Sequence, residues 1–145
     1  MESLCAFGER IKELIFDKKI TPEILSDRLN LDLSLIYKWQ RGDSVPNLDS
    51  LIRLSRHFCV TIDFLSGRND ENHFTNTECR TPFNIRLQEI INETGLSNYA
   101  FSRKYNISRE TIRHWVNGER TPLLDSIIKL ADLLDVTIDN LVGMQ

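Results

Sequence analysis

The residues best equipped for surface chemistry lie between Ser108 and Pro122: Arg109, Glu110, Arg113 and His114, then Asn117 and Arg120. Ser108 has the side chain of a helix cap and Gly118 supplies a left-handed stop, so the spacing predicts a helix between them. On that helix Ile112 and Trp115, three residues apart, share one face, while Arg109, Glu110, Arg113 and His114 project from another. Arginine forks pair with guanine edges or phosphates, and a short helix fits the major groove of duplex DNA, so this polar face has the chemistry that base reading requires. The same spacing also suits an ordinary solvated face.

Other chemistries find little support. His57, His73 and His114 are scattered away from any cysteine or acid at ligand or triad spacing, and no glycine-rich phosphate loop occurs, so neither an enzyme nor a bound metal, cofactor or small-molecule substrate is expected. Cys5, Cys59 and Cys79 are odd in number and form no Cys-x-x-Cys pair, which fits reduced thiols. The 145 residues are 41% hydrophobic and 27% charged, an ordinary globular composition with length for one domain or two small ones. No apolar run approaches the roughly 20 residues a bilayer span needs, and the first residues lack a basic segment followed by an apolar one; a cytoplasmic protein is expected. The formal net charge of -3 argues against simple electrostatic binding to nucleic acid. Locally the balance reverses. Between Ser102 and Pro122 the bases Arg103, Lys104, Arg109, Arg113 and Arg120 face only Glu110 and Glu119, a positive strip able to meet phosphate.

The elements that must position these residues occur twice. A shift of 76 residues lays Phe7 on Phe83 and Gly67 on Gly143 without a gap. Trp39 falls on Trp115, Gly42 on Gly118 and Pro46 on Pro122; Leu48-Asp49-Ser50 recurs as Leu124-Asp125-Ser126, and Val60-Thr61-Ile62-Asp63 as Val136-Thr137-Ile138-Asp139. Apolar positions are kept while exposed ones diverge, as expected of one fold serving two partners. Each copy reads as five short helices. Phe7, Ile11, Leu14 and Ile15, like Phe83, Leu87, Ile90 and Ile91, give an amphipathic first helix. Thr21 with Pro22, and Ser97, cap the second, which Asn30 and Asn106 close. Asp32 and Ser108 cap the third, a leucine- and isoleucine-bearing fourth follows, and Thr61 and Thr137 cap the last. Nothing alternates with period two, so no strands are expected. The domains are expected at 1–67 and 82–145, with residues 68–81, rich in Asn, Asp, Glu and Thr, as a polar linker. If flexible, that linker has a root-mean-square reach of roughly 20 Å. Trp39 and Trp115, opposite the polar faces, are expected in the core rather than stacked on bases.

Two short helices around a tight turn, the second with a polar outer face, make a helix-turn-helix. The set Thr21-x-x-x-Leu25-Ser26-x-x-Leu29, then Ile36, Trp39, Gly42 and Pro46, and the Val-Thr-Ile-Asp-x-Leu ending resembles the Cro/phage-repressor (XRE) class. The resemblance covers nearly everything except the linker. It implies an all-α chain of two tandem five-helix lambda-repressor-like helix-turn-helix domains, each third helix suited to the major groove, and a transcriptional regulator, most often a repressor, whose partner is double-stranded DNA. Carried onto the second copy, it assigns Arg109, Glu110, Arg113 and His114 to bases, with Ser97, Asn98, Thr111, Asn117 and Arg120 to the backbone and Ser108 at the cap. Glu110 either accepts from a cytosine amino group or holds Arg113 or His114 in place.

The first copy departs from this pattern. Its groove-facing positions are Leu33, Ser34, Tyr37 and Lys38, with Leu35 beside them, and Arg28, Lys38 and Arg41 are cancelled by Asp27, Asp32 and Asp43. Leu33, Leu35 and Tyr37 read as a protein contact, with a second subunit of a homodimer as one candidate, while Ser34, Tyr37, Lys38 and Arg41 are its candidate DNA contacts. Hence the rival reading: a protein-interaction module such as an antitoxin, a phage-encoded inhibitor or a scaffold. The resemblance also implies an ion pair from Arg10 and Arg86 to a glutamate late in the third helix. Gln40 and Val116 stand there instead, leaving Asp49 and Asp125 as candidate partners, or Arg86 released toward phosphate. Pro22 replaces a frequent glutamine and offers neither a side-chain donor nor an N–H.

Overall fold

The computed structural model describes residues 2–74 and 81–144, with side chains from Ala6 onward in the first stretch. Cys79 and the side chain of Cys5 lie outside what is described; Cys59 is a free, exposed thiol. The described residues form ten helices and no strand: α1 (Glu2–Asp17), α2 (Pro22–Leu29), α3 (Leu33–Arg41), α4 (Leu48–Phe58), α5 (Ile62–Ser66), α6 (Phe83–Glu93), α7 (Asn98–Lys104), α8 (Arg109–Val116), α9 (Leu124–Leu134) and α10 (Ile138–Leu141). Two compact units divide the chain, one built on α1–α5 and the other chiefly on α6–α10.

In the first unit Phe7, Ile11, Leu14 and Ile15 are buried at helical spacing, and α1 packs on α3 and α5. The Thr21 hydroxyl accepts from Ile24 N, Pro22 opens α2, and Asn30 ends it in the left-handed region at φ 52°. The Asp32 carboxylate caps α3 by accepting from Ser34 N at 3.0 Å. Ile36 and Trp39, both fully buried, fasten α3 to the core, and the Trp39 ring meets Phe7 edge-on at 5.7 Å. Gly8 makes this approach possible, since a Cβ there would stand 2.6 Å from the Trp39 carbonyl oxygen.

The chain after α5 does not leave this unit at residue 68, where the linker was expected. Arg68 donates to Asp63 at 2.6 Å, Asn69 N to the Asp63 carbonyl at 3.1 Å, and Asn72 Nδ2 to the Cys59 carbonyl at 3.0 Å. Asn72 Oδ1 accepts from Thr61 N at 3.1 Å. Residues 68–74 are therefore a strap hydrogen-bonded to the unit: the Asn72 side chain satisfies backbone groups of Thr61 and Cys59, and Arg68 and Asp70 pair with the side chains of Asp63 and Arg10. The rest of the expected linker, up to residue 80, lies outside the described residues.

The two arginines of the first helices also find partners other than those expected. Arg10 stacks over Phe64 at 4.0 Å and pairs with Asp70 at 3.0 Å, while Asp49 pairs with Arg53 four residues on. Arg86 donates to the Asn140 carbonyl and side-chain oxygens at 3.0 and 2.8 Å and to Glu89 at 3.2 Å. With its side chain 18% exposed, Arg86 is not released toward a phosphate. Phe64 and Asn140 occupy corresponding positions, so both arginines reach their copy's last helix, one by stacking and the other by hydrogen bonds.

Within the second unit Phe83, Leu87, Ile90 and Ile91 are buried, α6 packs on α8 and α10, and α7 packs on α8. Ser97 Oγ accepts from Ala100 N at 3.0 Å to cap α7, and Ser108 caps α8 by accepting from Thr111 N at 3.5 Å. Asn106 turns the chain at φ 54°. α8 ends at Val116 with Asn117 as its cap, and Gly118 follows in the left-handed region expected of the stop, at φ 76°.

His57 gives the first unit a sensitivity to acid. Burial, then the nearby charges of Arg28 and Lys18, push its imidazole below 6.5, and its buried Nδ1 has no hydrogen-bond partner. The folded form thus resists a proton that the unfolded chain accepts, so stability is full above pH 6.5 and falls as pH drops through the folded value. Thermal melting followed from pH 7.5 to 5.5 should show that decline, and His57→Gln should flatten it; equal slopes in both proteins would remove the assignment.

Candidate nucleic-acid interface

α7, the turn through Asn106, and α8 bring most of the candidate residues of the second unit to one surface. Ile112 and Trp115 are the buried residues of α8, at 1% and 7% exposure. Helical geometry then turns Arg109, Glu110 and Arg113 outward, and all three are exposed. Arg109 has no carboxylate within 4.0 Å among the described residues; its guanidinium lies over the Tyr99 ring, 5.4 Å from the centroid. Glu110 stands 3.6 Å from both Arg113 Nη2 and His114 Nε2, close enough to orient each without a tight ion pair. Such exposed pairs contribute little to stability and leave the cation available.

His114 is placed differently from its neighbours. Its side chain is 16% exposed, its Nδ1 lies 2.5 Å from Glu119 and its Nε2 faces Glu110. That hydrogen bond holds the Glu119 carboxyl below its ordinary value of 4.5. The imidazole thus joins α8 to its exit loop rather than standing free beside the arginines. Asn98 is also engaged: its side-chain amide exchanges hydrogen bonds with Gln88 of α6 at 3.1 and 3.2 Å. Asn117 and Arg120 are exposed after α8, Ser97 and Ser108 serve as caps, and Thr111 is half-buried. Arg109, Arg113, Asn98 and Asn117 line one concavity of about 270 Å³, floored by Ile112 and Val116.

Two contributors escaped the sequence reading: Tyr99 of α7, whose ring joins Arg103 to Arg109, and Gln88, which orients Asn98. The i, i+4 spacing of Tyr99 and Arg103 was the available signal; the link to Arg109 crosses a turn and has none.

In the first unit the corresponding surface is tied down by its own acids. The Tyr37 hydroxyl donates to Glu23 at 2.6 Å, which holds Glu23 below 4.5 and pushes Tyr37 above 10.0. Arg41 pairs with Asp43 at 2.9 Å, and Ser34 donates to Asp32 at 2.9 Å; Lys38 is exposed. Leu33 and Leu35, expected as an exposed apolar cluster, are half-buried. They lie one turn before Ile36 and Trp39, on the margins of the buried stripe, so the helix draws them partly inward. Among the described residues of α1–α5, the large exposed apolar side chains are Phe16 and Ile24 instead.

Residues 87–141, which contain α7 and α8, match the helix-turn-helix family. Among characterised proteins the chain is similar to the HTH-type transcriptional activator BcrR of Enterococcus faecalis, with 35% identity over 86 residues, 59% of this chain and 40% of that protein. The chain therefore spans less than half the length of that curated relative. No solved structure matches it. Among the described residues, no helix is long and apolar enough to cross a membrane.

Proposed function

We propose that this chain is a cytoplasmic, sequence-specific DNA-binding transcription regulator made of two tandem helix-turn-helix domains, and that α8 is its principal reader of the major groove. The observation that carries the reading is the outward face of α8: Arg109 and Arg113 stand exposed on a helix anchored from behind by Ile112 and Trp115. Forked cations presented in this way match the O6 and N7 acceptors of guanine. Ser97, Asn98, Thr111, Asn117 and Arg120 flank them as backbone contacts, which add affinity without sequence information. Glu110 acts by orienting Arg113 and His114 rather than by reading a base, in keeping with its equal distance from both. Regulation follows from occupying a specific site. The resemblance points to repression, whereas the relative is named an activator, and a reporter gene placed beside the selected site separates the two.

The first domain serves chiefly as a protein contact, through which the chain pairs with a second copy or another protein. The pairs Tyr37–Glu23 and Arg41–Asp43 favour this role, since they engage on the protein one cation and the hydroxyl that DNA would need.

Selection from a random DNA pool by the whole chain tests the main reading. A short preferred motif is expected, bound with an affinity that falls steeply with salt, by a slope of about 0.9 per phosphate contacted. Failure to bind even mixed-sequence DNA at low salt would sink it in favour of a protein-interaction module.

A further inference from the structure

Tyr99 is the second residue of α7 and is half exposed, with two arginines against its ring. The Arg103 guanidinium lies 5.8 Å from the ring centroid and donates from Nη1 to the phenolic oxygen at 3.1 Å. The Arg109 guanidinium lies 5.4 Å from the same centroid. Neither cation has a carboxylate within 4.0 Å among the described residues, so the aromatic ring is what gathers them. The ring also walls the concavity that Arg109 and Arg113 line, which places it on the surface where α8 is read outward. At the corresponding position the first copy has Glu23, which takes the Tyr37 hydroxyl instead, so a ring at this position belongs to the second copy.

An arginine side chain is long and loses rotamer freedom when it binds, so holding it beforehand strengthens the complex without any new contact to the ligand. A ring face attracts a guanidinium and restrains it in a plane while leaving its five N–H donors free, which a carboxylate would not do. We infer that Tyr99 is a positioning residue for DNA reading: its ring holds Arg109 aimed at a base edge, and its hydroxyl holds Arg103 for a backbone phosphate. One side chain thereby ties a sequence-reading contact to a sequence-neutral one. This rests on the function proposed above.

The test uses the full chain, the DNA site it selects, and the variants Tyr99→Phe, Tyr99→Ala, Arg109→Ala and Arg113→Ala. Tyr99→Phe keeps the ring and should keep base discrimination, while the salt slope shrinks by about 0.9 as the Arg103 phosphate contact loosens. Tyr99→Ala should lower discrimination at the base pair Arg109 reads by about tenfold, and adding it to Arg109→Ala should cost nothing more at that position. A uniform loss of affinity at all positions, tracking a lower melting temperature, would mean that Tyr99 only supports the fold and would overturn the inference. So would an unchanged salt slope in Tyr99→Phe for its Arg103 half. Should Arg109→Ala lose discrimination while Tyr99→Ala retains it, this inference alone fails; should Arg109→Ala and Arg113→Ala both change nothing, reading by α8 fails with it.

Discussion

Alanine at Arg109 or at Arg113 is expected to weaken binding to the selected DNA site by about 5- to 150-fold each, the loss of a base contact of about 1 to 3 kcal/mol. Both side chains are exposed, and the nearest acid, Glu110, stands 3.6 Å from Arg113, so neither substitution leaves a buried charge unpaired or opens a cavity. The melting temperature should stay within the small range of surface changes. Binding to mixed-sequence DNA should fall much less, because the phosphate contacts proposed for Arg120, Asn117 and Asn98 are left in place. Changing Tyr37, Lys38 and Arg41 together to alanine supplies the control. Two of the three are held by Glu23 and Asp43, so their loss should cost less specific affinity than Arg113 alone. An equal or larger loss from the triple variant would move base reading to the first domain. Quantitative gel shifts at fixed salt decide the matter.

How much of this arrangement the residues announced in advance depended on the range of the interaction. Caps and stops are local: Thr21, Asp32, Ser97 and Ser108 each accept from an N–H two or three residues on, and type and spacing were enough to place them. Apolar periodicity was equally legible, and Ile36, Trp39, Ile112 and Trp115 all turn inward. Long side chains that reach across the fold were not legible. Arg10 meets Asp70, sixty positions away, and Arg86 meets Asn140, fifty-four away, whereas nearer acids in sequence looked equally suitable. Polar composition misled at residues 68–74, because Asn and Asp serve a solvated linker and a hydrogen-bonded strap alike. At the candidate interface the outward set was readable from α8 alone, but Tyr99 was not, because its partnership with Arg109 depends on how the turn sets α7 against α8.

The two tryptophans offer the largest expected effect and a test of how labour is divided. Trp115→Ala removes one of the two buried residues of α8, along with the edge-on contact to Phe83 at 6.3 Å, and should cost about 3 to 5 kcal/mol. Set against a typical domain stability of about 5 to 15 kcal/mol, that loss loosens the helix that presents Arg109 and Arg113, and specific DNA binding should disappear. Trp39→Ala removes a fully buried ring from α3 and should cost a similar amount, yet only in the first unit. Trp39→Phe should be milder, since Trp39 Nε1 is buried without a hydrogen-bond partner and losing it strands no other group. Calorimetry should therefore show one transition lowered in each alanine variant, a different one in each. If α8 reads DNA and the first domain contacts protein, Trp39→Ala keeps the base preferences of the selected motif even as its own unit melts, whereas Trp115→Ala loses them. Loss of those preferences in Trp39→Ala as well would show that the units read DNA together, and the first domain would then have to be reassigned from protein contact to DNA.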